Sequence, residues 1–150
     1  MKTIVTLLDL SDVTSTVIEQ TEQFAKELKA RVVLMHVLPE KTGSVVGRMD
    51  SLLSFDRKIP RDDLIAADYE RLSTLADSLR QLNVNVEVEQ LVDADIRLIV
   101  DECKEWKPDL IVVGSQPDGP FCEWFADSRT GTVTKNLHCP VMVVPALPMQ

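Results

Sequence analysis

"LIVVG", residues 110–114, is the stretch on which the fold turns. Four apolar residues, three of them β-branched, run on without a polar interruption. That is how a strand reads when a parallel sheet buries both of its faces. The glycine that closes the run opens a loop able to receive a ligand. The runs "TIVTLLD" (3–9) and "RVVLMHVL" (31–38) read the same way. So does "CPVMVVPAL" (139–147), bracketed by Pro140 and Pro145. "NVEVEQLV" (85–92) differs: Val86 and Val88 alternate inward with Glu87 and Glu89 outward, the pattern of a strand with one face less covered, often an edge.

Helical spacing fills the intervals. Val17, Ile18, Thr21, Phe24, Ala25 and Leu28 predict a helix within 12–29. Ile65, Tyr69, Leu72, Leu75, Ala76, Leu79 and Leu82 share one face of a helix over 65–82. Ile96, Ile99, Val100 and Cys103 mark a third, ended by "KPDL", and a last one is expected over 128–137. Strands alternating with helices predict an α/β chain of the Rossmann-like kind. It has a five-stranded, mostly parallel sheet, right-handed crossovers and helices on both faces. In such sheets a ligand binds beyond the carboxyl ends of the strands, where strand order reverses. Those ends are Asp9, Val37 and Gly114. Residues 39–61 are too long for a plain connection and carry Val45, Val46, Leu52, Leu53 and Phe55. They are expected to form a loop or short helix covering the ligand end or a partner. No internal repeat or second domain is apparent, so a single domain is expected over 1–150.

Composition narrows the function classes. The 150 residues carry a net charge of −8, which argues against a basic surface for nucleic acid. No apolar run reaches the roughly 20 residues of a membrane span. The start "MKTIVTLLDLSD" meets Asp9 and Asp12 too soon for a signal peptide and reads as a strand. Three cysteines, Cys103, Cys122 and Cys139, are odd in number and lack C-x-x-C spacing. Neither a disulfide framework nor a zinc site is expected, and a reducing cytoplasm is the expected compartment.

Few residues stand out as chemistry. "GSVVGR" (43–48) lacks the G-K-[ST] ending of a phosphate loop and does not join a strand directly to a helix. His36 lies inside an apolar strand and His138 precedes Cys139 at a strand start; both read as packing or surface residues, without carboxylates at ligand spacing. Nothing basic flanks Cys122 to favour its thiolate. Asp9 closes the first strand, where a carboxylate either accepts hydrogen bonds from a ribose or an adenine amino group or holds the amides of the following turn. Ser11 and Asp12 offer caps for the first helix. The loop "GSQPDGPFCEWFADS" (114–128) adds two prolines and three carboxylates, Asp118, Glu123 and Asp127, at the place where a ligand would sit.

Taken together, Asp9, "LMHV" and "DLIVVGS…CPVMVVP" resemble the universal stress protein family, over essentially the whole chain and most strongly at its two ends. The resemblance implies a small α/β domain, usually a homodimer, of a kind that often binds ATP. The family's nucleotide motif, G-x2-G-x9-G-[S/T], begins at the end of the fourth strand, where its glycines admit backbone amides to the phosphates. Laid on this chain without a gap, it places the first glycine on Gly114, the second on Pro117, the third on Asp127 and the hydroxyl residue on Ser128. Pro117 has no N–H to donate. Asp127 sets a carboxylate among the phosphate oxygens, and two unit charges ~4 Å apart repel by ~1 kcal/mol in water and ~4 kcal/mol at an effective dielectric of 20. Alternatively, Asp127 caps the last helix and accepts the amide bonds that a phosphate would take. The resemblance keeps the adenosine end: Asp9 matches the acidic residue near the nucleoside, Val37 a position whose backbone meets adenine, and Ala94 a position near the ribose that often holds glycine.

It also implies pairing of the last strand, Val141–Pro145, across a homodimer axis; left bare, that apolar edge would be an aggregation hazard. The expectation is a dimeric regulatory or interaction module, not an enzyme, with weak or absent ATP binding, no bound cofactor and an unidentified protein partner. The alternative is an adenine-nucleotide sensor for ATP or AMP with at most slow hydrolysis. A phosphoryl-receiver domain shares the alternating pattern, and Asp9 and Asp93 suit it, but "PALPMQ" supplies no lysine after the fifth strand.

Overall fold

The unbroken apolar runs become the centre of one sheet. In the structure, a computed structural model that describes residues 1–10, 14–39, 61–115 and 137–145, β1 (Thr3–Leu8) is buried at every position. It lies between β2 (Arg31–Pro39) and β4 (Leu110–Ser115). β3 (Val86–Ala94) and β5 (Val141–Pro145) complete the order β3-β2-β1-β4-β5, and every pairing is parallel. The chain moves outward from β1 through β2 to β3, then returns to the far side of β1 for β4 and β5. Strand order therefore reverses between β1 and β4, the place where open α/β sheets in general hold their ligands.

Three helices among the described residues cover the two faces. Helices α1 (Thr14–Leu28) and α2 (Arg61–Gln81) pack on one: Val17, Ala25, Leu72, Ala76 and Leu79 meet Ile4, Leu8, Val32, Leu34 and Val112. On the other, α3 (Ile96–Glu105) sets Ile99, Val100 and Cys103 against Val5, Val33, Met35 and Ile111. Helix α3 starts at an Asp95 N-cap, whose carboxylate accepts from the Leu98 amide at 2.9 Å. A polar contact joins α1 to β1 on the first face: the Thr21 hydroxyl donates to the Val17 carbonyl at 2.8 Å and lies 3.0 Å from the Thr6 hydroxyl. Thr21 has spent its only proton, so Thr6 is the donor of that pair.

Several boundaries and faces differ from expectation, each for a local reason. Helix α2 begins at Arg61, four residues before its apolar stripe, with Asp62 and Asp63 in the first turn where the helix dipole favours carboxylates. The rest of the expected irregular segment, 40–60, lies outside the described residues. Tyr69 and Leu82, read as inward, are 45% and 43% exposed. Asp68 takes the inward place beside Tyr69, its side chain only 13% exposed. Leu28, at the end of α1, is also exposed.

β3 is an edge, as its alternation implies, but Glu89 is not turned to solvent. Helix α3 covers that face, and Glu89 accepts the Trp106 indole N–H at 2.7 Å. β3 also runs two residues past the apolar pattern, to Ala94, with a register slip between Leu38 and Pro39 and Asp93 at φ 57°. At its start the Arg80 guanidinium donates to the Val86 carbonyl at 2.8 Å. The expected last helix, 128–137, lies outside the described residues except for Leu137, which is buried.

Candidate functional site

The parallel register lines up the strand ends. Leu8 pairs with His36 of β2, and Leu7 pairs with Val113 of β4. One residue further on, Asp9 comes level with Val37, while Gly114 comes level with Leu8. Asp9, Val37 and Gly114 are therefore brought together at the carboxyl edge of three adjacent strands, at the reversal of strand order. Val37 is 1% exposed and Asp9 half-buried. Asp9 is followed by Leu10 in the left-handed region, φ 58°, so the chain turns sharply away from the sheet there. Ala94 closes β3 on the same edge, paired with Pro39, but two strands from β1. Pro117, Asp127 and Ser128, the remaining candidates, lie outside the described residues.

Next to this edge the structure adds a polar cluster that the apolar reading of "LMHV" missed. His36 is 1% exposed. Gln90, its partner in the β3 register, places its side-chain Nε2 3.2 Å from His36 Nδ1, and the same nitrogen donates to the Ile65 carbonyl of α2 at 3.1 Å. Across the ring, His36 Nε2 lies 3.8 Å from an Asp68 carboxylate oxygen. Arg71, one turn along α2, lies 3.9 Å from the other Asp68 oxygen and donates to the Leu10 carbonyl at 3.2 Å. Burial lowers the His36 pKa below its ordinary value, and the carboxylates of Asp68 and Asp9, which would raise it, do not make up the difference. His36 is thus neutral at pH 7, and its contact with Asp68 is not an ion pair there. The legible signal was Asp68 itself: with Ile65, Leu72 and Leu79 it follows helical spacing, a carboxylate set into an inward stripe.

Other chemistry is sparse among the described residues. No group of three His, Cys, Asp or Glu side chains is arranged to hold a metal ion. No helix is long and apolar enough to cross a membrane. Cys103 and Cys139 are free thiols, and burial pushes the Cys103 pKa up to about 12, away from a nucleophilic thiolate. Cys122 lies outside the described residues.

Comparison with known proteins agrees with this geometry. The profile of the universal stress protein family matches residues 1–145. No curated protein matches the chain in sequence. Among solved structures, universal stress protein UspA from Lactobacillus plantarum is 19% identical over 95% of this chain and 97% of its own, with a TM-score of 0.67. The Archaeoglobus fulgidus universal stress protein in complex with dAMP is 21% identical over 96% and 97%, with a TM-score of 0.56. An Arabidopsis thaliana member with AMP bound is 16% identical over 98% and 93%, with a TM-score of 0.61. At these identities the structures share the fold, and the family profile supplies the rest: with its 3-2-1-4-5 parallel sheet and its match from residue 1 to residue 145, this chain belongs to the universal stress protein family.

Proposed function

We propose that the protein is a non-catalytic, dimeric regulatory module of the cytoplasm that takes the adenosine part of a nucleotide and binds ATP weakly or not at all. The observation that carries this reading is the convergence of Asp9, Val37 and Gly114 at the strand-order reversal, in a chain that has Pro117 and Asp127 in place of two cradle glycines. The Asp9 carboxylate suits a ribose hydroxyl or an adenine amino group, and both are donors. In the register of the family's motif Asp127 takes a phosphate-cradle position, where each added phosphate would meet more negative charge, so a monophosphate suits the chain better than a triphosphate. Family structures with AMP, dAMP and cAMP favour this ligand class.

Calorimetric titration tests the reading. AMP is expected to bind more tightly than ATP with magnesium, and submicromolar ATP affinity would overturn it. Replacing both Pro117 and Asp127 by glycine is expected to strengthen ATP binding. Unchanged affinity would remove the Asp127 carboxylate, as a repelling charge or as an occupant of the amide cradle, as the cause.

Dimerisation rests on β5. It pairs with β4 alone among the described strands and leaves Val143 37% exposed. Val143→Glu is expected to shift the protein to monomer in sedimentation velocity.

A further inference from the structure

The cluster around His36 does more than fill the core. It links hydrogen bonds at its two ends, from the Ile65 carbonyl through Gln90 to His36 and from Arg71 to the Leu10 carbonyl, through Asp68, whose carboxylate lies 3.8 Å from His36 and 3.9 Å from Arg71. The cluster joins β3, β2 and α2 to the turn that carries Asp9. Its hydrogen-bond sense is fixed at one end. A side-chain amide nitrogen is a donor only, and Gln90 Nε2 meets a carbonyl oxygen at Ile65. The second hydrogen of that nitrogen therefore points at His36 Nδ1, which must accept it. A ring that accepts at Nδ1 is neutral and carries its proton on Nε2, toward Asp68.

Adding a proton breaks this arrangement in a defined way. Nδ1–H would face the Gln90 N–H, donor against donor. Gln90 relieves the conflict by turning its amide: the oxygen that takes the nitrogen's place accepts from Nδ1–H but faces the Ile65 carbonyl, acceptor against acceptor, ending the β3-to-α2 bond. The imidazolium also attracts the carboxylates of Asp68 and Asp9. Drawing Asp68 toward His36 takes it from Arg71, and Arg71 is the group that holds the Leu10 carbonyl next to Asp9. Among the described residues, the charged groups acting on His36 are Asp68 and Arg71 from α2 and Asp9 from the end of β1.

We infer that His36 is a proton-operated latch on the ligand edge: neutral, it leaves Arg71 holding the turn after β1 that carries Asp9; protonated, it releases Gln90 from Ile65 and draws the Asp68 and Asp9 carboxylates toward itself. Acid thereby weakens nucleoside binding through positioning residues that do not touch the ligand. The inference rests on the nucleoside-site reading above and assigns that site a regulator. Burial keeps the latch closed at pH 7 and opens it only in acid.

The test uses the full chain and adenosine, which has no phosphate to titrate. Nitrogen NMR of the two histidines is expected to show His36 neutral and protonated on Nε2 at neutral pH. On acidification, the Gln90 side-chain amide and the Leu10 backbone amide should shift with the midpoint of His36. Adenosine affinity should fall by about fivefold or more between roughly pH 7.5 and the acid side of that midpoint. His36→Gln should lose this dependence. Asp68→Asn keeps the histidine but removes an attractive carboxylate, and should move the His36 midpoint to lower pH.

Gln90 and Leu10 signals that do not follow His36, a midpoint unmoved in Asp68→Asn, or acid weakening that persists in His36→Gln would each overturn the latch. Absence of adenosine binding at every pH would instead overturn the nucleoside reading, while the Gln90 and Leu10 signals still decide the latch.

Discussion

Replacing Thr21 by valine should cost more than replacing Thr6, although the two hydroxyls are partners and both residues are 0% exposed. The reason is the direction of the bonds. In Thr6→Val, Thr21 still donates to the Val17 carbonyl and loses only an incoming bond. That is one neutral hydrogen bond, about 1 kcal/mol. In Thr21→Val the buried Thr6 hydroxyl loses its described partner, and an orphaned buried donor costs about 1–3 kcal/mol. Valine matches threonine in shape, so cavity terms are small in both variants. The double variant removes both polar groups and should cost less than the sum of the singles, leaving a coupling of about 1 kcal/mol. Urea unfolding followed by far-UV circular dichroism measures all four corners of the cycle. For a chain of this size each kcal/mol also moves Tm by about 2–4 °C. Equal single losses that add in the double variant would refute the assigned donor direction.

Stability should also respond to pH through His36. Unfolded, it titrates near the ordinary histidine value of 6.5; folded, its pKa is lower, so in acid the unfolded chain binds a proton that the folded chain does not. The contribution is therefore complete above about pH 6.5 and is lost as pH falls toward the folded value, at up to about 1.4 kcal/mol per pH unit; His36→Gln should flatten that part of a urea-midpoint profile. Asp95→Ala removes the α3 N-cap and should destabilise by about 1 kcal/mol in the same assay. Cys103 should resist a thiol reagent at neutral pH until the protein unfolds, and rapid native labelling at that position, mapped by peptide mass, would contradict its burial.

What was legible in the sequence follows from which forces act locally. The order of elements came from apolar periodicity, because a parallel strand is hydrophobic at every position and declares itself without reference to its neighbours. The edge character of β3 came from its valine–glutamate alternation, yet that same alternation misled at Glu89. A period of two reports which residues share a face; it does not report that α3 lies on the other one. The ends of β1, β2 and β4 were legible as neighbours on one edge because strands of a parallel sheet all finish on the same side; that strand order reverses between β1 and β4 came only with the fold. The His36 cluster was not. Its members stand 25 to 54 positions apart in the chain along the Gln90 contacts, and only tertiary packing sets a glutamine of β3 and an aspartate of α2 on either side of one imidazole. Tyr69 and Leu82 were overcounted as core because helical spacing gives the centre of a stripe more reliably than its width.

The two ends of the sheet are not equivalent. On β3, the Asn85 carbonyl bonds to β2, so the carbonyl of Val86 points outward, and Arg80 has already claimed it. Glu87 stands exposed in the same stretch. A further strand arriving there would meet an occupied acceptor and a charge. At the opposite border, β5 offers valines. In the proposed dimer, a second copy joining β5 by a twofold axis would use up that border in both molecules at once. What the proposed dimer would leave outward is β3, where Arg80 already holds the Val86 carbonyl and Glu87 stands exposed.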